Sequence, residues 1–227
     1  MGSGSSIEPR PFHRLLWRVY PRFYDRAWDN LLTDHLAARV VSLIPPGLPV
    51  DDVGAGTGLY TLHLHQAGMN VCAFEPDARM RRHLAARLPG LAVCDSAIEE
   101  LSGGGAEPRV VVAANVLHLV PDPRAALERL RCRAGRDGLV IVVGPSSRAS
   151  LTRFCLALRR RNESAIGMLR FLSIHFLLAP LIAFGGGLRL GRRSAWLIDG
   201  ATMEVTVDGV AQIALYEGQS WDGPFIQ

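Results

Sequence analysis

Two rhythms of apolar and polar positions run along this chain. Between residues 11 and 44, Leu15, Leu16, Val19, Phe23, Trp28, Leu31, Leu32, Leu36, Val40 and Val41 recur at roughly helical spacing. The pattern predicts helices broken at Pro21, whose ring removes a backbone donor, and ended by Pro45-Pro46-Gly47. Short apolar runs then take over at 50–53, 71–74, 91–94, 110–114 and 139–144, each long enough to cross a sheet once. Helical segments separate them at 59–68, 77–88 and 123–132. Asp77 and Asp122 are in place as N-caps, Pro123 stands at a first helical position, and Pro89-Gly90 is a stop signal. Two last runs, 203–207 and 212–216, flank Asp208-Gly209, the turn chemistry of an antiparallel hairpin. No internal repeat is visible.

One apolar stretch breaks this alternation. Residues 171–184 read F-L-S-I-H-F-L-L-A-P-L-I-A-F, followed by Gly185-Gly186-Gly187. A bilayer-spanning helix needs about 20 apolar residues. This run is shorter, and Arg170, His175 and Pro180 bound or interrupt it. The expectation is an apolar lid over a bound molecule; a membrane-contacting or dimer surface and plain core are the alternatives. The organisation that follows is a tag-like or disordered start over residues 1–10 and a single domain over 11–227. Within it, 11–46 forms a helical cap and 150–194 an apolar and basic insert.

Composition narrows the setting more than the function. The net charge of +4 comes entirely from arginine, because the chain contains no lysine. Such usage fits a GC-rich bacterial genome and raises the isoelectric point without implying nucleic-acid binding. The denser groups, Arg159-Arg160-Arg161 and Arg189, Arg192 and Arg193, read as solvated helix faces. Cys72, Cys94, Cys132 and Cys155 lack C-x-x-C spacing, so packing is expected rather than disulfides or a metal site. The start lacks the apolar run of a signal peptide, which places the expectation in the cytoplasm.

The chemistry concentrates around residues 50–58, V-D-D-V-G-A-G-T-G, which open into a helical segment. Strand, glycine turn and helix bring backbone N–H groups against a nucleotide-like ligand. A dinucleotide fingerprint would place its third glycine at Leu59; here it comes one residue early, at Gly58. About twenty residues on, the run V-C-A-F-E-P-D ends in Glu75, Pro76 and Asp77, with Met80 beyond, where a ribose-binding acid belongs. Residues 91–101 follow with Asp95, Ser96 and Ala97, and 110–122 read V-V-V-A-A-N-V-L-H-L-V-P-D.

This ordered set, over roughly residues 50–145, resembles the class I S-adenosylmethionine (SAM) dependent methyltransferases. Residues Y-P-R-F-Y-D, holding Tyr20 and Tyr24, are similar to the N-terminal tyrosine motif of the ubiquinone-, menaquinone- and phospholipid-type branch. The resemblance implies an α/β fold: a Rossmann-like doubly wound sheet of about seven strands, mostly parallel with the last antiparallel, and a helical insert before the sixth. It places Gly54, Ala55, Gly56 and Gly58 at the methionine part of SAM, Glu75 with Pro76 and Met80 about the ribose, and Asp95, Ser96 and Ala97 at the adenine. Asn115 falls by the sulfonium, and Tyr24 closes over the cofactor. Two departures stand out. Arg109 occupies the head of the fourth strand, where relatives often carry an acid, and Asn115 does not begin an N-P-P-Y motif, which argues mildly against planar nitrogen acceptors.

Methyl transfer from a sulfonium needs alignment and dryness more than acid–base chemistry. A hydroxyl or carbon acceptor also needs a proton acceptor, and His118, at the carboxyl end of the fourth strand, is the candidate; packing or capping is its alternative use. His63, His65 and His175 read as structural. No metal site is expected. The function implied is methylation of a small, largely apolar or aromatic molecule in specialised metabolism. Peripheral contact with a membrane and a homodimer are open alternatives. Two other readings stand beside it: methylation of a lipid or quinone at a membrane surface, and a SAM-binding cyclase-like enzyme or binding protein that transfers no methyl group.

Overall fold

A computed structural model describes residues 21–103, 107–184 and 201–219. Tyr20, the rest of the 1–20 start, the glycines at 185–187 and the arginines at 189–193 lie outside the described residues. The chain enters through helices α1 (Pro21–Trp28) and α2 (Leu31–Leu43). Strand–helix units follow: β1 (Val50–Val53), α3 (Leu59–Gln66), β2 (Val71–Phe74), α4 (Ala78–Arg87) and β3 (Ala92–Cys94). Next come β4 (Val110–Ala114), α5 (Pro123–Ala134) and β5 (Leu139–Pro145). Helices α6 (Leu151–Arg160) and α7 (Ala165–Phe184) then precede the hairpin β6 (Met203–Val207) and β7 (Ala211–Glu217).

These strands form one sheet in the order β3-β2-β1-β4-β5-β7-β6. The first five are parallel, and β7 runs antiparallel to both its neighbours. The turn between them spans residues 208–210, with positive φ at Asp208 and Gly209 (50° and 65°) and the Val210 N–H donating to the Val207 carbonyl at 3.0 Å. Strand order reverses between β1 and β4, so the loops after these two strands lie side by side. Such a switch point is where ligands enter open α/β sheets.

Both faces of the sheet are covered. One core joins α2, α3, α6 and α7 to the sheet through Leu36, Val40, Leu64, Leu158, Phe171 and Ile213. The other joins α5 through Leu127, Leu130, Val111, Val140 and Tyr216. The adjacent carboxylates of β1 serve opposite faces, as the alternation of a strand dictates. Asp51 accepts from Arg133 Nε at 2.7 Å and lies 3.2 Å from Arg109 Nη1. Arg109, at the head of β4, thus ties that strand to β1. Asp52 instead accepts from Thr61 Oγ1 at 2.6 Å on α3.

The described part of α1 begins at Pro21, so the expected break there concerns residues outside the described ones. One boundary was not expected: a break at Asn30, whose Oδ1 accepts from the N–H groups of Leu32 and Thr33 and starts α2. Asp77 and Asp122 cap α4 and α5 as expected. The apolar segment, 171–184, makes up all but the first six residues of α7, a helix of 20 residues. No helix among the described residues is long and apolar enough to cross a membrane. Helices α1, α6 and α7 meet in an aromatic trio, Trp28, Phe154 and Phe171, with ring centroids 5.8–6.1 Å apart. Cys72 and Cys94 are free and only half-buried, their sulfurs 3.9 Å apart on neighbouring strands.

Candidate cofactor site

The loop after β1 is built from three glycines in the left-handed region, Gly54, Gly56 and Gly58, with φ of 73°, 60° and 86°. Two of them are glycine because protein crowds them. A Cβ on Gly54 would stand 2.6 Å from Val116 Cγ2, in the loop after β4, and one on Gly58 would stand 3.1 Å from Leu84 Cγ. Gly56 differs. A Cβ there would meet only Tyr24 Cε1, at 4.0 Å. The middle glycine therefore keeps a backbone surface open, with Tyr24 facing it across the gap, and a ligand can reach that backbone directly.

Glu75 supports this loop from β2. Its Oε2 accepts from the Gly56 N–H at 2.8 Å, and its Oε1 accepts from the Asp77 N–H at 2.8 Å. Burial raises its pKa, while the two backbone N–H groups and Arg81 oppose the rise. Each carboxylate oxygen has a second lone pair, which leaves Glu75 able to accept from a pair of ligand hydroxyls. Arg81 Nη1 clamps the carbonyls of Glu75 and Pro76 at 2.8 and 2.7 Å. Pro76 is exposed beside them, whereas Met80 is buried on the inner face of α4. After β3, Asp95 is exposed and Ser96 half-buried, and the Ala97 N–H already donates to Glu100 Oε2 at 2.9 Å.

The loop after β4 supplies the rest. Asn115 has φ of 56°, and its N–H donates to the Val143 carbonyl at 2.8 Å. His118 is partly covered, and burial pushes its imidazole down from 6.5 to about 4. It is therefore neutral at pH 7 and a weak base. His63 pairs with Asp34 at 3.1 Å, a structural use, as expected.

Three residues join the site that the sequence reading did not single out. Asp25 of α1 accepts from Thr57 Oγ1 of the glycine loop at 2.5 Å, and its other oxygen accepts from Arg87 Nη2 at 2.9 Å. Asp52, 1% exposed, lies under the loop with its pKa raised to about 6; burial dominates, the Thr61 bond lowers it and Glu75 adds to the rise. Tyr60 is buried in the first turn of α3. The signals were local: Asp25 closes the Y-P-R-F-Y-D run, Asp52 precedes the loop and Tyr60 follows it. On the far side of α1, a groove of ≈ 330 Å³ separates it from α7, lined by Phe23, Arg26, Leu169, Arg170, Ser173 and Ile174. No cluster of potential metal ligands occurs among the described residues.

The sequence matches the family model of the methyltransferase domain over residues 20–179, and the chain belongs to that family. Its fold is shared with a SAM-dependent methyltransferase from Aquifex aeolicus, at 13% identity and a TM-score of 0.52, covering 89% of this chain and 96% of that one. A protein of Anabaena variabilis, described as a methyltransferase from an antibiotic biosynthesis pathway, is 20% identical with a TM-score of 0.47, covering 71% of this chain and 64% of its own. The CcbJ methyltransferase of Streptomyces caelestis is 25% identical with a TM-score of 0.43, covering 50% of this chain and 49% of its own. The chain thus spans less than two thirds of the length of the latter two. No curated protein matches it significantly.

Proposed function

We propose that the protein is a SAM-dependent methyltransferase acting on a small, largely apolar or aromatic acceptor. The observation that carries this reading is Gly56: an open backbone surface bordered by Tyr24, with its own N–H held by Glu75. Bound there, SAM would supply a methyl group already activated by a positive sulfur. Gly54, Ala55, Gly56 and Gly58 would hold its methionine part, Glu75 the ribose hydroxyls, and Asp95, Ser96 and Ala97 the adenine. Asn115 would stand by the sulfonium and Tyr24 would cover it. Transfer of that methyl group to the acceptor would release a proton from the acceptor to a base. His118 is that base in this reading. An imidazole held near 4 is ready to accept a proton but binds it weakly, which suits a phenol or enol better than an alkyl alcohol.

Helices α1, α6 and α7 are the proposed lid, with the groove between α1 and α7 as its apolar lining. Incubation with methyl-labelled SAM and a panel of phenolic and enolic acceptors tests the whole. Labelled product supports it; tight cofactor retention without product from any acceptor points to the non-methylating alternative. A second reading draws on α7, where Ile166, Leu169 and Phe176 stand 65–68% exposed beside Arg170. That stripe fits an acceptor held at a membrane surface. Flotation with anionic liposomes separates the two, since a protein that stays at the bottom of the gradient excludes the second.

A further inference from the structure

The groove between α1 and α7 is apolar at its floor and cationic at its rim. Ile174 is buried and Phe23 half-buried, whereas Leu169, Ser173, Arg26 and Arg170 stand exposed around them. Its two charged residues have the same sign, and no acid lines it. Arg170 is the only Asp, Glu, Lys or Arg on α7. It lies in the N-terminal half of that helix, where the helix dipole offers a cation no stabilisation. The needs of the helix therefore do not account for it.

The acids nearest along the chain are committed elsewhere. Asp25, next to Arg26, accepts from Thr57 and Arg87. Asp29, one turn further on, lies 3.7 Å from Arg87. Glu163, ahead of α7, accepts from the Leu31 N–H at 3.0 Å. Neither Arg26 nor Arg170 forms an ion pair among the described residues. Two guanidiniums without a counterion, at the mouth of an apolar groove, complement an amphiphilic anion. Its body rests against Phe23 and Ile174 while its anionic end meets the arginines. A guanidinium presents paired donors that match the two oxygens of a carboxylate. The volume, ≈ 330 Å³, falls in the range of small-molecule sites, about 300–1,000 Å³.

We propose that the groove takes a small apolar acid, and that Arg26 and Arg170 select it by binding its carboxylate. The acid is the methyl acceptor, a role that rests on the methyltransferase reading above. A carboxylate paired with arginine is a poor nucleophile, so it serves as the handle and a separate hydroxyl or carbon receives the methyl group.

The test titrates 6-hydroxy-2-naphthoate and 2-naphthol, phenols that differ by the carboxylate, into wild type and the double variant Arg26→Gln/Arg170→Gln by calorimetry. Wild type should bind the acid about tenfold more tightly, the worth of two ionic hydrogen bonds weakened by exposure. The preference should shrink as salt rises. The double variant should bind both compounds equally, with wild-type affinity for 2-naphthol and an unchanged thermal unfolding curve. Equal affinities in wild type, no binding of either compound, or a carboxylate preference that survives in the variant overturns the proposal. Flotation with anionic vesicles that the variant loses, without any preference between the free compounds, also overturns it and gives the arginines to a lipid surface. S-adenosylhomocysteine, titrated in parallel, keeps the two readings apart. A wild type that binds it but shows no preference for the acid overturns the groove assignment alone. One that does not bind it overturns the reading on which the acceptor role rests.

Discussion

Replacing Asp52 with Asn should change how folding stability responds to pH. Burial lifts the Asp52 carboxyl from 3.8 to about 6. Between these values the folded protein keeps a proton that the unfolded chain has released, so stability falls as pH rises through the window. The gap of about two pH units, at ~1.36 kcal/mol each, sets an upper limit near 3 kcal/mol. His118 acts in the opposite sense. Its folded pKa of about 4 lies below the 6.5 of an ordinary imidazole, so its contribution is lost as pH falls from 6.5 towards 4. Over about pH 4–6 the two slopes oppose each other and the wild-type curve is flattened. Asp52→Asn keeps an oxygen for Thr61 Oγ1 to donate to, and it removes only one slope. Its stability relative to wild type should grow by up to about 3 kcal/mol from pH 4 to pH 7. Urea denaturation at constant ionic strength, read at half-unit steps, measures this directly. Parallel curves with a constant offset would refute the claim that Asp52 enters the fold protonated.

The site yields three further expectations. Glu75→Ala should weaken S-adenosylhomocysteine binding by about 1.5–3 kcal/mol in calorimetry, from lost bonds to the ligand and to the Gly56 N–H; unchanged affinity in a folded variant removes Glu75 from the site. His118→Ala should lower turnover roughly 10²–10⁴-fold with a hydroxyl or carbon acceptor and leave cofactor affinity intact; wild-type turnover leaves His118 as packing. Gly54→Ala and Gly56→Ala should divide stability from binding. The first adds a 2.6 Å clash with Val116 to left-handed strain and should cost about 2–4 kcal/mol in denaturation. The second meets only Tyr24 and should cost about 1–2 kcal/mol while harming ligand binding more.

What could be read from the sequence was local. Asp77 and Asp122 cap helices through bonds two and three residues away, and the Asp208-Gly209 turn is set by two left-handed residues. The glycine loop was legible for the same reason. The break at Asn30 was not read, because the apolar positions keep their helical spacing across it and the cap is a single asparagine. Contacts between distant segments left no trace in spacing. Thr57 bonds to Asp25 across 32 positions, and Asp51 to Arg133 across 82. Nor does the sequence say which of two adjacent acids faces Arg133 and which faces Thr61. That follows from register, and register follows from which face each helix covers.

The bond between Asp25 and Thr57 joins two ligand regions mechanically. Helix α1 carries Tyr24 at the glycine loop and Phe23 and Arg26 in the groove against α7, and Asp25 fastens it to the loop itself. A molecule that steadies the loop therefore steadies the docked helix, and a molecule seated in the groove steadies the loop. Reciprocity makes the two effects equal in free energy. The methyl donor and its acceptor would then bind with positive cooperativity, and an acceptor measured on the donor-free protein would bind more weakly than it does in turnover.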